Sequence, residues 1–325
     1  MSLLDTILDR TVALSFDRSG FLRHQRRFVP GDLDVDLSGR VIIVTGASSG
    51  IGLATAKALA RLKARVLMVG RDKARTEAAV ALVRAEVPGA QVRAELLDVS
   101  HLAACRAWAA ALPEGEVHGL IHNAGALVSR VIRTPEGFES TLACHVLGPM
   151  VLTEALAPRL LLAQGARVVF VASGGMYSRR LDVDTLHHDQ DKGFDGVQAY
   201  ADAKRAQVVL SEQLAARFNA TGVTFNTMHP GWADTPGVEK GLPTFHRFTA
   251  KHLRSPEEGA DTVVWLVACP RISGERGKLW LDRAPQPTHL LPWTHEDEAE
   301  RDKLWAQVHA WAEVDPGWTT ALLSK

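Results

Sequence analysis

Tyr200 and Lys204 stand four residues apart in the stretch QAYADAKRAQ, and Tyr200 is one of only two tyrosines in the 325-residue chain. On a helix this spacing puts both side chains on one face. An unperturbed tyrosine has a pKa of about 10 and is a weak base at neutral pH. A neighbouring ammonium stabilises the phenolate and lowers that value, which equips the phenol to carry a proton. Upstream, Ser173 closes the apolar run ARVVFVAS, where its hydroxyl can hydrogen-bond a substrate oxygen. The other tyrosine, Tyr177, has Leu181 rather than a cation four residues on, and is read as a pocket wall or plain surface.

A second chemical signal lies near the N-terminus. The loop TGASSGIG, from Thr45 to Gly52, spaces its glycines as GxxxGxG and comprises Gly46, Ser48, Ser49, Gly50, Ile51 and Gly52 around Ala47. It follows the β-branched run VIIVT and precedes the helical pattern GLATAKALARL. Glycines at such a junction permit a tight turn and close approach of a pyrophosphate, which the N–H groups of the helix N-terminus then hold. The next strand ends MVGRD, with Gly70 where an acid would bind the hydroxyls of an NAD ribose. Arg71 follows, and a guanidinium there grips a 2′-phosphate, so the expected cofactor is NADP(H) in preference to NAD(H). Asp72 is read as the N-cap of the following helix.

These residues need a scaffold, and the chain alternates strand and helix patterns from Val41 onward. The apolar runs VIIVT, ARVLMVG, QVRAELLDV, VHGLIHN, ARVVFVAS, GVTFNTMHP and GKLWLD read as strands. Helical periods separate them, one opening at Ser255, Pro256 and Glu258 as a capping box. Alternation of this kind implies parallel pairing with both sheet faces covered. The expected fold is α/β, a doubly wound Rossmann sheet of seven mainly parallel strands in the order 3-2-1-4-5-6-7. Residues 40–290 form the dinucleotide-binding catalytic domain. Residues 1–39 form a helical extension whose first turns carry Leu3, Leu4, Ile7, Leu8 and Val12 at helical spacing. Residues 291–325 form a C-terminal helix on the same domain.

Composition excludes several classes. With 37 basic and 37 acidic residues, nothing points to nucleic acid as a partner. Cys105, Cys144 and Cys269 are odd in number and lack CxxC spacing, which fits a reducing compartment and argues against a disulfide framework or structural metal. Asp5, Asp9 and Arg10 interrupt any signal-like apolar run, and no run nears 18 uninterrupted apolar residues. A cytoplasmic protein without a membrane span is expected, and homo-oligomer formation stays open.

The glycine loop, the NAG of Asn123 to Gly125 and Tyr-x-x-x-Lys together resemble the short-chain dehydrogenase/reductase family, over about Arg40 to the last strand. FVASGGM, MHPGWADTPGV, GADTVVWL and THL narrow the likeness to the group of family member 12 and its bacterial relatives. There it reaches both termini, including SG at Ser19 and DL at Asp32. The resemblance implies hydride transfer between NADP(H) and a carbonyl or alcohol. Ser173 would orient the substrate oxygen, Tyr200 would move the proton, and Lys204 would tune Tyr200 and bind the nicotinamide ribose. It also implies that Asp98 and Val99 flank the adenine, and that Asn123, Ala124 and Gly125 line the cofactor. Pro230, Gly231 and Thr235 would hold the nicotinamide. By their apolar character, Val238, Leu242 and Phe245 either shape a moderately apolar substrate pocket or pack a lid helix.

Two positions depart from the family. His145 stands where the family has a catalytic Asn, whose main-chain carbonyl holds a water beside the active lysine. His145 either keeps that relay or is a buried, hydrogen-bonded histidine. The 27 positions from Ser173 to Tyr200 exceed the gap of shorter members; the insert SRRLDVDTLHHDQDKGFDG reads as a flexible acidic loop over the pocket, with His187, His188, Asp189 and Asp191 a less favoured metal cluster. Two other functions remain on the same fold: a non-catalytic NADP(H)-binding sensor or scaffold, and an epimerase or dehydratase with tightly held cofactor.

Overall fold

Consecutive residues of a buried strand face opposite sides of a sheet, and in this chain both sides are apolar. A computed structural model describes residues 12–188, 190–241 and 243–324. Its strands are β1 (Val41–Thr45), β2 (Arg65–Gly70), β3 (Val92–Leu96), β4 (Gly119–His122), β5 (Arg167–Val171), β6 (Thr224–Met228), β7 (Leu279–Leu281) and β8 (Ala284–Gln286). They form one sheet in the order β3-β2-β1-β4-β5-β6-β7-β8. Pairing is parallel throughout except between β7 and β8.

The eighth strand is one more than the sequence pattern predicts. Asp282 and Arg283 have φ of 50° and 59°, a two-residue turn with both residues left-handed that folds the chain back antiparallel. The turn lacks the Asn-Gly or Asp-Gly pair that announces such a hairpin, and Pro285 sits on the sheet edge, where no ladder N–H is needed.

The helices are α1 (Val12–Phe16), α2 (Arg18–Gln25), α3 (Gly50–Arg61), α4 (Lys73–Glu86), α5 (Leu102–Ala111), α6 (Gly148–Leu162), α7 (Gly196–Arg217), α8 (Pro236–Gly241), α9 (Pro243–Thr249), α10 (Pro256–Ala268), α11 (Glu298–Ala312) and α12 (Trp318–Leu323). Val41 and Ile43 of β1 join one core with α5, α6, α7 and α11, while Ile42 and Val44 join the opposite core with α3, α4 and α10. Asp72 caps α4 by accepting from Arg75 N at 2.9 Å, and Ser255 with Glu258 closes the capping box of α10. The segment Ser140–Leu162 is long and apolar enough to cross a membrane by length and composition, yet it is mostly buried as a core helix against α5.

Both terminal regions pack on this sheet. Phe16 is buried against Tyr177, His229 and Trp232. Asp32 accepts from Trp265 Nε1 at 2.8 Å and pairs with Arg271 at 2.6 Å. At the other end, Leu304, Trp305 and Val308 of α11 enter the core shared with α6 and α7. The helix expected around Leu3 to Leu8 lies outside the described residues.

The segment between Ser173 and Tyr200 is not a flap over the cavity. Leu181, Val183 and Leu186 are buried in the main core, and Val183 N donates to Glu300 Oε1 at 2.7 Å. His188 meets Asp202 at 3.0 Å, while His187 accepts from Glu139 N at 3.2 Å, so the two histidines serve different partners. The apolar residues at 181, 183 and 186 decided the outcome over the acidic composition around them.

Candidate active site

The phosphate loop is held by backbone conformation and by a cross-strand tie. Gly46 and Gly50 have φ of 68° and 52°, which disfavours any side chain there. A Cβ on Gly52 would lie 2.3 Å from Gly46 O and 2.5 Å from Asn123 Nδ2. Asn123 Nδ2 donates to Thr45 O at 2.8 Å, and Thr45 Oγ1 accepts from the N–H groups of Asn123 and Ala124, each at 3.0 Å. The NAG turn and the glycine loop are thus one hydrogen-bonded unit. Ser49 opens α3 without a side-chain cap, so the helix's first N–H groups suit an anion.

The candidate reacting residues come from the end of β5, the turn before α6, and α7. Ser173 follows β5, and its hydroxyl lies close enough to the Tyr200 side chain to act on the phenol's pKa. Lys204 Nζ lies 5.6 Å from the Tyr200 ring centroid and donates to Val171 O at 2.7 Å and Gln207 Oε1 at 3.0 Å. Burial pushes the Lys204 pKa down to about 7. Burial also raises Tyr200, with the Ser173 hydroxyl acting against it. Sequence spacing implies a tyrosine tuned down by its lysine. Within the protein itself, the cost of burying a phenolate dominates, and Ser173 is the side chain that opposes it.

His145 is 1% exposed and occupies a π turn, Ala143–Leu147, just before α6. Its Nε2 meets Ala126 O at 3.1 Å and its ring stands edge-on to Tyr200 at 5.1 Å between centroids. A Cβ on Gly125 would come 2.5 Å from His145 Cε1, so the NAG glycine makes room for the imidazole. Burial and the Lys204 charge hold His145 well below the ordinary histidine pKa, leaving a neutral ring at pH 7. Burial pushes neighbouring Cys144 up to about 12, so it remains a thiol.

All the residues singled out from sequence for the cofactor and the reaction line one cavity of about 510 Å³. They are Gly46, Ser48 to Gly52, Arg71, Asp98, Val99, Asn123 to Gly125, His145, Ser173, Tyr200, Lys204, Pro230, Gly231 and Thr235. Val238 also lines it; Leu242 and the Phe245 side chain lie outside the description. Gly231 has φ of 70°, and Thr235 packs beside Gly50, which brings this loop against the phosphate loop.

Tyr177 is a correction. It is buried against Phe16, with its hydroxyl donating to Pro287 O at 3.0 Å, and does not line the cavity. The N-terminal segment and the β8 region, distant in sequence, claim its two ends. Sequence reading missed Arg75, which lines the cavity beside Arg71. Its spacing of four from Arg71, at the start of α4, was the available signal. Gln207 was also missed, and no local pattern marks it.

Comparison with known proteins identifies relatives of this chain. Residues 40–181 match the family model described as short chain dehydrogenase. The chain is 39% identical over 292 residues to dehydrogenase/reductase SDR family member 12 of Bos taurus, covering 89% of this chain and 91% of that protein. It is 34% identical to retinol dehydrogenase 12 of Bos taurus, over 86% of this chain and 89% of that one. Among solved structures, a protein from Mycobacterium paratuberculosis superposes with a TM-score of 0.70 at 25% identity, covering 89% of this chain and 98% of that one. A short chain dehydrogenase from Escherichia coli CFT073, complexed with NADPH, gives 0.63 at 25% identity over 79% of this chain and 100% of that one.

Proposed function

Because the chain belongs to the short-chain dehydrogenase/reductase family, we propose that it interconverts an apolar carbonyl and its alcohol with NADP(H), through Ser173, Tyr200 and Lys204. The carrying observation is the contact set at the reacting end. Ser173 and Lys204 flank Tyr200, with Lys204 Nζ 5.6 Å from its ring centroid, in the same cavity as the glycine loop.

The nicotinamide, when bound, supplies or takes up the hydride. Ser173 holds the substrate oxygen by a hydrogen bond. Tyr200 gives its hydroxyl proton to that oxygen as negative charge builds in reduction, and recovers it in oxidation. Lys204, in its charged form, stabilises the phenolate left behind. Among the described residues two acceptors engage its N–H groups, and the third N–H is available to a partner in the cavity. His145 contributes a neutral ring packed on Tyr200 and its main-chain carbonyl.

Preference for NADP(H) rests on Arg71 and Arg75 at the same cavity wall and on Gly70 in the acid's place. Asp72 caps α4 and does not line the cavity, and one oxygen of Asp98 is taken by Ser100. The E. coli neighbour bound to NADPH supports the same choice. An apolar substrate is supported by Leu127, Val197, Trp232 and Val238 on the cavity wall and by likeness to a retinol dehydrogenase.

The test is NADPH consumption against aliphatic, terpenoid and retinoid aldehydes. Tyr200→Phe is expected to cut kcat by about 10²–10⁴-fold while NADPH affinity stays unchanged. Full turnover by that variant would refute the mechanism.

A further inference from the structure

Gln207 lies three residues after Lys204, on the same face of α7, and is 1% exposed. Its Oε1 accepts from Lys204 Nζ at 3.0 Å, and its Nε2 donates to the main-chain oxygen of His145 at 3.1 Å. A single amide orientation serves both partners, since an ammonium has no acceptor and a carbonyl no donor.

The His145 carbonyl is open to this bond for a reason written in the chain. Its α-helical partner would be the N–H four residues on, and that residue is Pro149, which has none. The backbone also widens here, with Gly148 N–H returning to Ala143 O across the π turn. Gly148 lets the end of this turn lie against the backbone at Val99, whose oxygen a Cβ would meet at 1.8 Å.

We propose that Gln207 is a positioning residue of the reaction, its amide clamping Lys204 to the His145 carbonyl in the place where the family resemblance puts a water. The inference rests on the reading of Lys204 as the partner of Tyr200. The clamp has two consequences. An acceptor fixed on the ammonium favours its charged form. An amide also has no readily lost proton, so protons reach Tyr200 from the cavity and not through His145.

The experiment titrates Lys204 directly in the free protein, by NMR of lysines labelled with ¹³C at Cε, the signal assigned by its loss in Lys204→Arg. Gln207→Met keeps the shape and removes both polar ends; Gln207→Glu keeps an acceptor and adds charge. The Lys204 midpoint is expected to fall by about one unit, or tenfold in proton affinity, in Gln207→Met and to rise by about as much in Gln207→Glu. An unmoved midpoint in both variants, with native-like spectra, overturns the clamp. The outcome is independent of Tyr200→Phe: full activity in that variant with shifted Lys204 midpoints would leave the clamp standing and remove the catalytic reading.

Discussion

From Gly46 to Asp98 the cavity is lined by neighbours in sequence, each within a strand, a loop or a helix start of β1 to β3. The wall from Asn123 to Thr235 instead draws on β4, β5, β6 and α7, and is braced from outside the Rossmann core. Arg254 is the clearest brace. It is 1% exposed and pairs with both oxygens of Asp282, at 2.6 and 2.9 Å. It also donates to Ser15 O at 2.8 Å and Asp17 O at 3.1 Å in the N-terminal segment, and its N–H to Trp232 O at 2.8 Å. Gly231 has no side chain because a Cβ would lie 2.3 Å from Arg254 Nε. The binding half is therefore held by backbone geometry, and the reacting half by buried polar side chains that need distant partners.

Arg254→Met should produce the largest effect, and only through the reacting half. It leaves the carboxylate of Asp282 buried with His24 as its remaining side-chain partner, at 2.6 Å. Removing one member of a buried pair costs about 3–5 kcal/mol, readable as a lower urea midpoint. A loss under about 1 kcal/mol, the surface-pair level, would show that the brace is ornamental.

Acid should expose the same asymmetry. Burial holds His122 and His229, in the reacting half, down at about 3. Unfolding releases each to the ordinary histidine value of about 6.5, so the unfolded chain binds more protons below that pH. Their contribution is complete above pH 6.5 and is lost as pH falls toward 3. One unit below 6.5 each contributes about 1.4 kcal/mol less, about 3 kcal/mol together. Urea unfolding at pH 7.5 and 5.5 measures it; equal stabilities would contradict the assignment.

In the binding half, Gly52→Ala drives a methyl into Gly46 O and Asn123 Nδ2. NADPH affinity is expected to drop about 100-fold, about 2.7 kcal/mol, with a loss of stability of about 1–3 kcal/mol, smaller than that of Arg254→Met. Titration of NADPH fluorescence decides it, and a midpoint that falls as far as that of Arg254→Met would erase the contrast between the halves. The smallest effect is Arg71→Ala. This guanidinium is exposed, 4.0 Å from Asp98. Its removal should weaken NADPH by about tenfold, the order of one charge-assisted bond, and leave NADH untouched. Equal losses for both cofactors would remove Arg71 from the 2′-phosphate site.

Legibility followed the same division. TGASSGIG declared itself because a glycine turn between strand and helix is a local event. Tyr200 and Lys204 were legible once a helix was granted, and Asp72 and Ser255 announced caps within three residues. Tyr177 was misplaced because its partners, Phe16 and Pro287, are 161 and 110 positions away. The insert from Ser178 to Gly196 was misjudged because composition outweighed three apolar residues that find the core and α11.

The sequence by itself determined the order of the sheet as far as β7, the glycine loop and the candidate side chains for the reaction, since periodicity, turn chemistry and helical spacing act over a few residues. The tertiary structure alone decided what surrounds them: Ser173 on Tyr200, Gln207 between Lys204 and the His145 carbonyl, Arg254 under the Pro230–Thr235 loop. Those contacts join residues whose encounter depends on how the helices and strands pack. A buried polar atom takes the partner that packing brings to it.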